Sequence, residues 1–558
     1  MASTDDEPNK PSAIYDSSPS EPLLSKPYPS PSIEENQNDL IESEQNNYPQ
    51  ITFNYGPRHF QDLPFMFLFI LFVLSTFAFG IFSVAHRNPN SSNVSSFVYD
   101  SNTSSCVKES LTSPHPEFYQ ILTFPSFSNY ASSSHLWRDL TWTLVITFVL
   151  SVPFVLGLLW LLRHYAKQIV YVSLPFFVVI PIFFNVFWFV ACTVSSSCSG
   201  AFPLAYRILV LVFIFLIIAI IVWIIVANWH RIGLTVDIIE VASYALARNL
   251  GLFGVLPCLT LGLLAYFVPI VVFLVFALHN GKIEPHVSKG STEGYSCVWK
   301  QDSWVPAYYT LAIVTMLWSA AVMVEAQVYV ISGTIAQWYF SKDDSTRKRS
   351  IRSSLRNAFG PSFGTVCFSG LIIAAVRVVR ASVDSARRED APTGIMNLML
   401  RCCVNALLSA VDFVNKFTIN FVAITGEGYC SGAKMTYELL KRNLLSPVFV
   451  ETVSTRILGG IIFVLSAVYA IVVCAILKAA SNLGVDSYLV AVLAWVLLIV
   501  VLGFFVHVLE NVIDTVYVCY AIDRDRGEVF KQDVHEVYVH LPISRDSRPS
   551  LATRTPFV

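Results

Sequence analysis

Between residues 64 and 509 the sequence repeats one pattern, apolar runs of about twenty residues parted by short polar connections. A helix rises about 1.5 Å per residue, so each run can cross a hydrocarbon core about 30 Å thick. Lipid offers no partner for a backbone N–H or C=O, and a run of this length must pair them within itself, as a helix. Hydrophobic residues make up 54% and charged residues 14% of 558, with a mean hydropathy of +0.56, which excludes an ordinary soluble domain. The fold class predicted is all-α: a polytopic membrane protein of about ten transmembrane helices with both termini cytosolic. A net charge of -2 and the lack of a basic block outside one loop give no footing for nucleic acid.

Residues 1–60 are polar, acidic and rich in Pro and Ser, too poor in apolar surface to fold alone, so a disordered cytosolic tail is predicted there. The membrane domain is predicted over 64–520 and a cytosolic C-terminal tail over 521–558. Its spans are 64–85, 140–162, 169–190, 208–227, 254–277, 308–340, 363–383, 406–426, 457–477 and 488–509. In the loop 87–138, sequons at Asn90, Asn93 and Asn102 mark an outer face open to glycosylation. The connection 163–167 is basic and its opposite, 192–200, is not; the loop after Phe340 carries Lys342, Arg347, Lys348, Arg349, Arg352 and Arg356. The positive-inside rule puts the basic connections in the cytosol. Cys106, Cys192, Cys198 and Cys297 then share the oxidising side, where four cysteines allow three pairings. Cys192 and Cys198 are near enough in sequence for a local bridge. The remaining cysteines show no zinc spacing, and neither a metal nor a cofactor is predicted.

Three segments break the simple pattern. Residues 229–249 carry Asp237, Glu240 and Arg248 and read as an amphipathic helix lying at the inner surface. The segment 363–383 ends in Arg377, Arg380, Arg387 and Arg388; it reads as a span, with a pair of re-entrant segments as the alternative. The run 406–426 is interrupted by Asp412, Asn415, Lys416 and Asn420, which marks either a broken helix lining a cavity or a helix sealed by its neighbours.

Steps of three and four along 308–340 place Tyr308, Leu311, Thr315, Trp318, Val322, Glu325 and Tyr329 on one face. A lipid-exposed carboxylate costs about 3 kcal/mol, so Glu325 should face other helices or a water-filled path. Aromatic rings beside a carboxylate suit a desolvated organic cation. The alternative is a Glu325 bonded inside the bundle with the aromatics as packing. On the last span His507, Glu510, Asn511, Asp514 and Tyr517 share a side, and His507, Glu510 and Asp514 join Glu325 as proton-coupling candidates.

The runs FVNKFTINFVAITGEGYCSGAK (413–434), ISGTIAQWYF (331–340) and VIDTVYVCYAIDRDRGE (512–528) resemble the signature regions of the choline transporter-like protein family. The likeness covers roughly 64–530, with a first outer loop shorter than in many members. It implies about ten helices and transport of choline and ethanolamine, with proton exchange in some members. Under that resemblance Trp318 and Tyr329 become cage walls for a quaternary ammonium, Tyr308 lies at the outer mouth, and Glu325 supplies attraction or proton coupling. Asn420 would meet the choline hydroxyl. A plasma-membrane location is expected, with Golgi or endosomal membranes as alternatives, and the role would be supply or redistribution of phospholipid precursors.

An enzyme is not expected: there is no phosphate-binding glycine loop, no His-Glu-x-x-His and no nucleophile elbow, and the carboxylates are scattered over different spans. The competing function is a non-transporting scaffold for vesicle trafficking or lipid homeostasis.

Overall fold

A computed structural model describes residues 53–54, 56–89, 94–100, 103–108, 134–194, 198, 202–227, 229–288, 294–341, 350–389, 395–443, 445–480, 486–526 and 529–539. Helix α1 runs Leu63–Ala85, α2 Ser134–Val194, α3 Leu204–Ala227, α4 Trp229–Ala247, α5 Leu252–Ala277, α6 Val305–Phe340 and α7 Ser350–Ala358. After these come α8 Phe363–Glu389, α9 Ile395–Thr425, α10 Tyr429–Asn443, α11 Leu445–Ala480, α12 Asp486–Arg526 and α13 Gln532–Tyr538. Among the described residues nine helices are long and apolar enough to cross a membrane. One of them, α2, has 61 residues, about 90 Å if straight, and it breaks at Tyr165 (φ -135°, ψ 28°). It therefore supplies two crossings, and the total is ten, in an all-α polytopic bundle.

Pro64 and Pro306 stand in the first turns of α1 and α6, where a missing N–H breaks no helical bond. Gly426, at φ 79°, stops α9 in the left-handed conformation that glycine adopts without strain. Strands β1 (Phe97–Asp100) and β2 (Ser105–Lys108) pair antiparallel with Tyr99 opposite Cys106; β3 (Gly281–Ser288) and β4 (Gly294–Gln301) do so with Pro285 opposite Cys297. The Cys106–Cys297 disulfide and a Tyr99–Tyr295 ring stack at 4.5 Å join the hairpin between α1 and α2 to the hairpin between α5 and α6. Cys192 and Cys198 form the second disulfide, at the end of α2. The sequons at Asn90, Asn93 and Asn102 lie outside the described residues.

Helix α6 is the core of the bundle. It packs on α1, α5, α7, α8, α9 and α12, and almost every side chain from Trp318 to Phe340 is buried. Trp160, Phe183, Leu264 and Ile471, on α2, α5 and α11, instead stand exposed, as the lipid-facing surface of such a bundle does.

Several segments differ from expectation. Helix α4 is not laid on lipid: Val236, Ile238, Ile239, Ala242 and Leu246 are buried, and α2 and α12 cover it. Its Asp237 meets Lys167 at 3.0 Å and its Tyr244 ring takes Arg163 at 5.0 Å, so its charged face is matched by protein. Helix α8 is continuous rather than a re-entrant pair, and its Arg380 is neutralised by Asp412 of α9 at 2.9 Å. Helix α9 runs unbroken past Asp412, Asn415, Lys416 and Asn420, each engaged by a neighbouring helix, so it is the sealed form.

The tail boundaries also move. Of the span 1–60, residues 1–52 lie outside the description, but Phe53 stacks on Phe340 at 6.2 Å and the Asn54 N–H donates to the Ile424 carbonyl at 3.1 Å. At the other end α12 continues to Arg526, and α13 docks Tyr538 against Tyr517 and Tyr520, with ring centroids 6.3 and 5.3 Å away. Burial and the nearby Asp514 charge push the Tyr538 phenol above its ordinary range, so it stays neutral. Apolar contact outweighs polar composition at both ends.

Candidate functional site

The buried half of α6 meets α8 and α9 at one carboxylate. Glu325 is only 6% exposed, and Ser369 Oγ of α8 lies 2.9 Å from its Oε2. The same hydroxyl lies 2.9 Å from Asn415 Oδ1 of α9, which also accepts from the Tyr429 hydroxyl of α10 at 2.6 Å. A serine has one proton, so it serves Glu325 or Asn415 but not both. Both contacts are satisfied together when Glu325 carries a proton and donates to Ser369, which donates to Asn415, and equally when the Asn415 amide turns its buried, unpartnered nitrogen to Ser369, which then donates to an ionised Glu325. Ser369 and Asn415 can thus reorient around Glu325 in either charge state.

Above this carboxylate, Trp318 is 2% exposed and wedged between the edges of Phe69 and Phe72, at 5.2 and 5.5 Å, while its indole N–H donates to the Cys367 carbonyl at 3.0 Å. Tyr308, nearer the Val305 end, is buried with a phenol that finds no partner among the described residues. Below the carboxylate, the Tyr329 hydroxyl donates to Ser362 at 2.8 Å and accepts from Arg58. Trp318 and Tyr329 are eleven residues apart, about 16 Å along α6, and Tyr308 is about 15 Å beyond Trp318. They cannot be walls of one choline-sized cage. They are stations along one inward face.

Asn420 is held in a separate chain: Thr515 of α12 donates to Ser332 of α6 at 3.1 Å, and Ser332 donates to Asn420 Oδ1 at 2.7 Å. Beside it Lys416 meets Asp514 at 2.5 Å. His507 is exposed and contacts Asn511 at 3.3 Å, so the proton candidates of α12 are spread from an ion pair to a surface imidazole and do not converge on Glu325.

Sequence reasoning passed over Ser369 and Tyr429, which only tertiary packing brings to Glu325, and over the segment before α1. There Arg58 reaches Tyr329 and the Ala423 carbonyl, the latter at 2.8 Å, while Asp62 Oδ2 accepts from Thr365 Oγ1 and from the Tyr429 N–H at the start of α10, each at 2.7 Å. The one signal available was an Arg and an Asp at the membrane edge, which the polar tail beside them masks. A polar cleft of about 280 Å³ opens against this segment, and apolar grooves of about 840 and 540 Å³ run between α2 and α11. None of these three is lined by Trp318, Glu325 or Tyr329.

Among the described residues, ten crossings around a buried, hydrogen-bonded carboxylate define a multi-pass membrane protein with a polar interior. The family described as plasma-membrane choline transporter matches residues 212–525, more than half of the chain, and the chain belongs to that family. Choline transporter-like protein 3 of Homo sapiens is 24% identical over 314 residues, covering 53% of this chain and 46% of its own length. Choline transporter-like protein 2 of Dictyostelium discoideum is 23% identical over 320 residues, covering 55% and 49%. A CTL-like protein of the same organism is 22% identical over 298 residues, covering 50% and 53%. The chain spans about half the length of the curated relatives it matches. Trp318, Glu325, Tyr329, Asn415 and Asn420 fall inside the family match; Arg58 and Asp62 fall outside it.

Proposed function

We propose that the chain is a membrane carrier for small organic cations of the choline and ethanolamine class, in which cation and proton compete for Glu325. The observation that carries this reading is the Glu325–Ser369–Asn415–Tyr429 network, a carboxylate turned inward between three helices and bonded to a hydroxyl and an amide chain that can reorient when its charge changes. A cation arriving beside it favours the ionised form, and a returning proton releases the cation. Trp318 and Tyr329 flank the carboxylate along the path, Tyr308 guards the Val305 end, and Asn420 offers an amide to a substrate hydroxyl. Lys416 and Asp514 hold α9 on α12 rather than carry protons.

Disulfides persist in oxidising compartments, so the hairpins bridged by Cys106–Cys297 face outward, and an even number of crossings returns both termini to the cytosol. With plasma membrane in the family's description, that membrane is where the carrier would work, bringing in phospholipid precursors. The test is uptake of choline, ethanolamine and carnitine by proteoliposomes across an imposed pH gradient. Saturable choline uptake that responds to the gradient supports the reading, and uptake equal to that of protein-free liposomes rejects it in favour of a scaffold.

A further inference from the structure

Arg58 is a cation held in a cage of neutral oxygens. Its guanidinium carbon lies 5.8 Å from the centre of the Tyr329 ring; one nitrogen donates to the Tyr329 hydroxyl and, at 3.5 Å, to the Val422 carbonyl. The other donates to the carbonyls of Ala423, at 2.8 Å, and Ile424, at 3.5 Å. These are the last carbonyls of α9, the negative end of its dipole, and no carboxylate is among the partners. Arg58 Nε is buried with no hydrogen-bond partner, so the guanidinium is attracted to the cage without filling all its own bonds.

The segment that delivers Arg58 is a strap with separable anchors. Asp62 binds Thr365 and the first N–H of α10, and the Gln61 N–H donates to the Pro361 carbonyl at 3.1 Å. It crosses α8 at Gly364, where a Cβ would stand 2.3 Å from the Gln61 carbonyl oxygen, so only glycine lets the strap lie this close. The 280 Å³ cleft, lined by Asn54, Arg58, Gln337, Arg356 and Asn357, opens directly beside it. That volume is larger than a small organic cation needs, and Arg58 itself lines it.

We infer that the Tyr329–Val422–Ala423–Ile424 cage is a binding site for small organic cations bearing N–H donors, occupied here by Arg58, which plugs the Phe340 end until the strap lifts. The part of this inference that concerns passage rests on the carrier reading; the cage itself does not. Carbonyl oxygens accept N–H bonds, so a guanidinium or primary ammonium is favoured over a quaternary ammonium, which has no donor. The cage thus selects among cations differently from the aromatic stations deeper in α6.

The test is thermal unfolding of the purified full-length chain in detergent, comparing wild type with Arg58→Ala and with Arg58→Gln, whose amide ends near the position of Arg58 Nε, short of the carbonyls, while Asp62 and Gln61 still anchor the strap. Guanidinium at low millimolar concentration should raise the Tm of both variants by about 2 °C or more and leave wild type unmoved, because the cage is vacant or weakly filled only in the variants. Tetramethylammonium and sodium at matched ionic strength should do neither. Equal shifts in all three proteins, or none in any, would overturn the cage. Absence of choline uptake by wild type together with the guanidinium-induced Tm rise in the variants would reject the carrier and leave the cage standing; uptake without that rise would do the reverse.

Discussion

Replacing Glu325 with glutamine separates a carboxylate that attracts a cation from one that only completes the packing. Glutamine keeps the volume and leaves an oxygen for Ser369, so the fold should hold. The network sets the distance: Glu325 reaches Ser369 in 2.9 Å and Ser369 reaches Asn415 in another 2.9 Å, so a cation beside Glu325 at the distance of Asn415 stands about 6 Å from the charge. At an effective dielectric of about 20, unit charges about 6 Å apart attract by about 2.8 kcal/mol, about a hundredfold in Kd. Equilibrium binding of radiolabelled choline to purified protein at mildly alkaline pH should show that loss for Glu325→Gln. Competition also fixes the sign with pH: binding to wild type weakens on acidification, as the proton takes the site, whereas the glutamine variant shows no such dependence. A change in Kd of less than about threefold, with wild-type pH dependence retained, would refute the reasoning.

Asp514→Asn should destabilise the detergent-solubilised chain by about 3 kcal/mol, because it removes the charge opposite Lys416, whose side chain is only 23% exposed; the double change with Lys416→Met should recover most of the loss in thermal unfolding. Gly364→Ala forces the strap off α8, and limited proteolysis should then cut near residues 53–62 faster than in wild type. Cys297→Ser releases Cys106, so a maleimide probe should label the non-reduced variant at one more thiol than wild type while the Cys192–Cys198 bridge stays intact.

The bundle was legible because lipid leaves a long apolar run no option but a helix, and span boundaries follow from length alone. Glu325 was legible for a related reason, since a carboxylate in such a run must turn inward. Its partners were not, because Ser369, Asn415 and Tyr429 lie on three other helices and only their packing brings them together. Periodicity likewise placed Tyr308, Trp318 and Tyr329 on one face, and the helical rise alone sets two of them about 16 Å apart. The amphipathic reading of α4 went astray because a charged stripe suits headgroups and protein partners equally, and here Lys167 and Arg163 supply the partners. Arg58 and Asp62 were hidden by composition: a tail's polarity says it cannot fold alone, not that its last ten residues will not dock on a finished surface.

The account stands on a small cation lodging inside the bundle beside Glu325. A cryo-electron microscopy map of the full chain in lipid nanodiscs with saturating choline tests that most directly. Density for the quaternary ammonium among α6, α8 and α9, within reach of Glu325 and absent from a choline-free map, is the result predicted. Density confined to the groove between α2 and α11, or identical maps with and without choline, would contradict it.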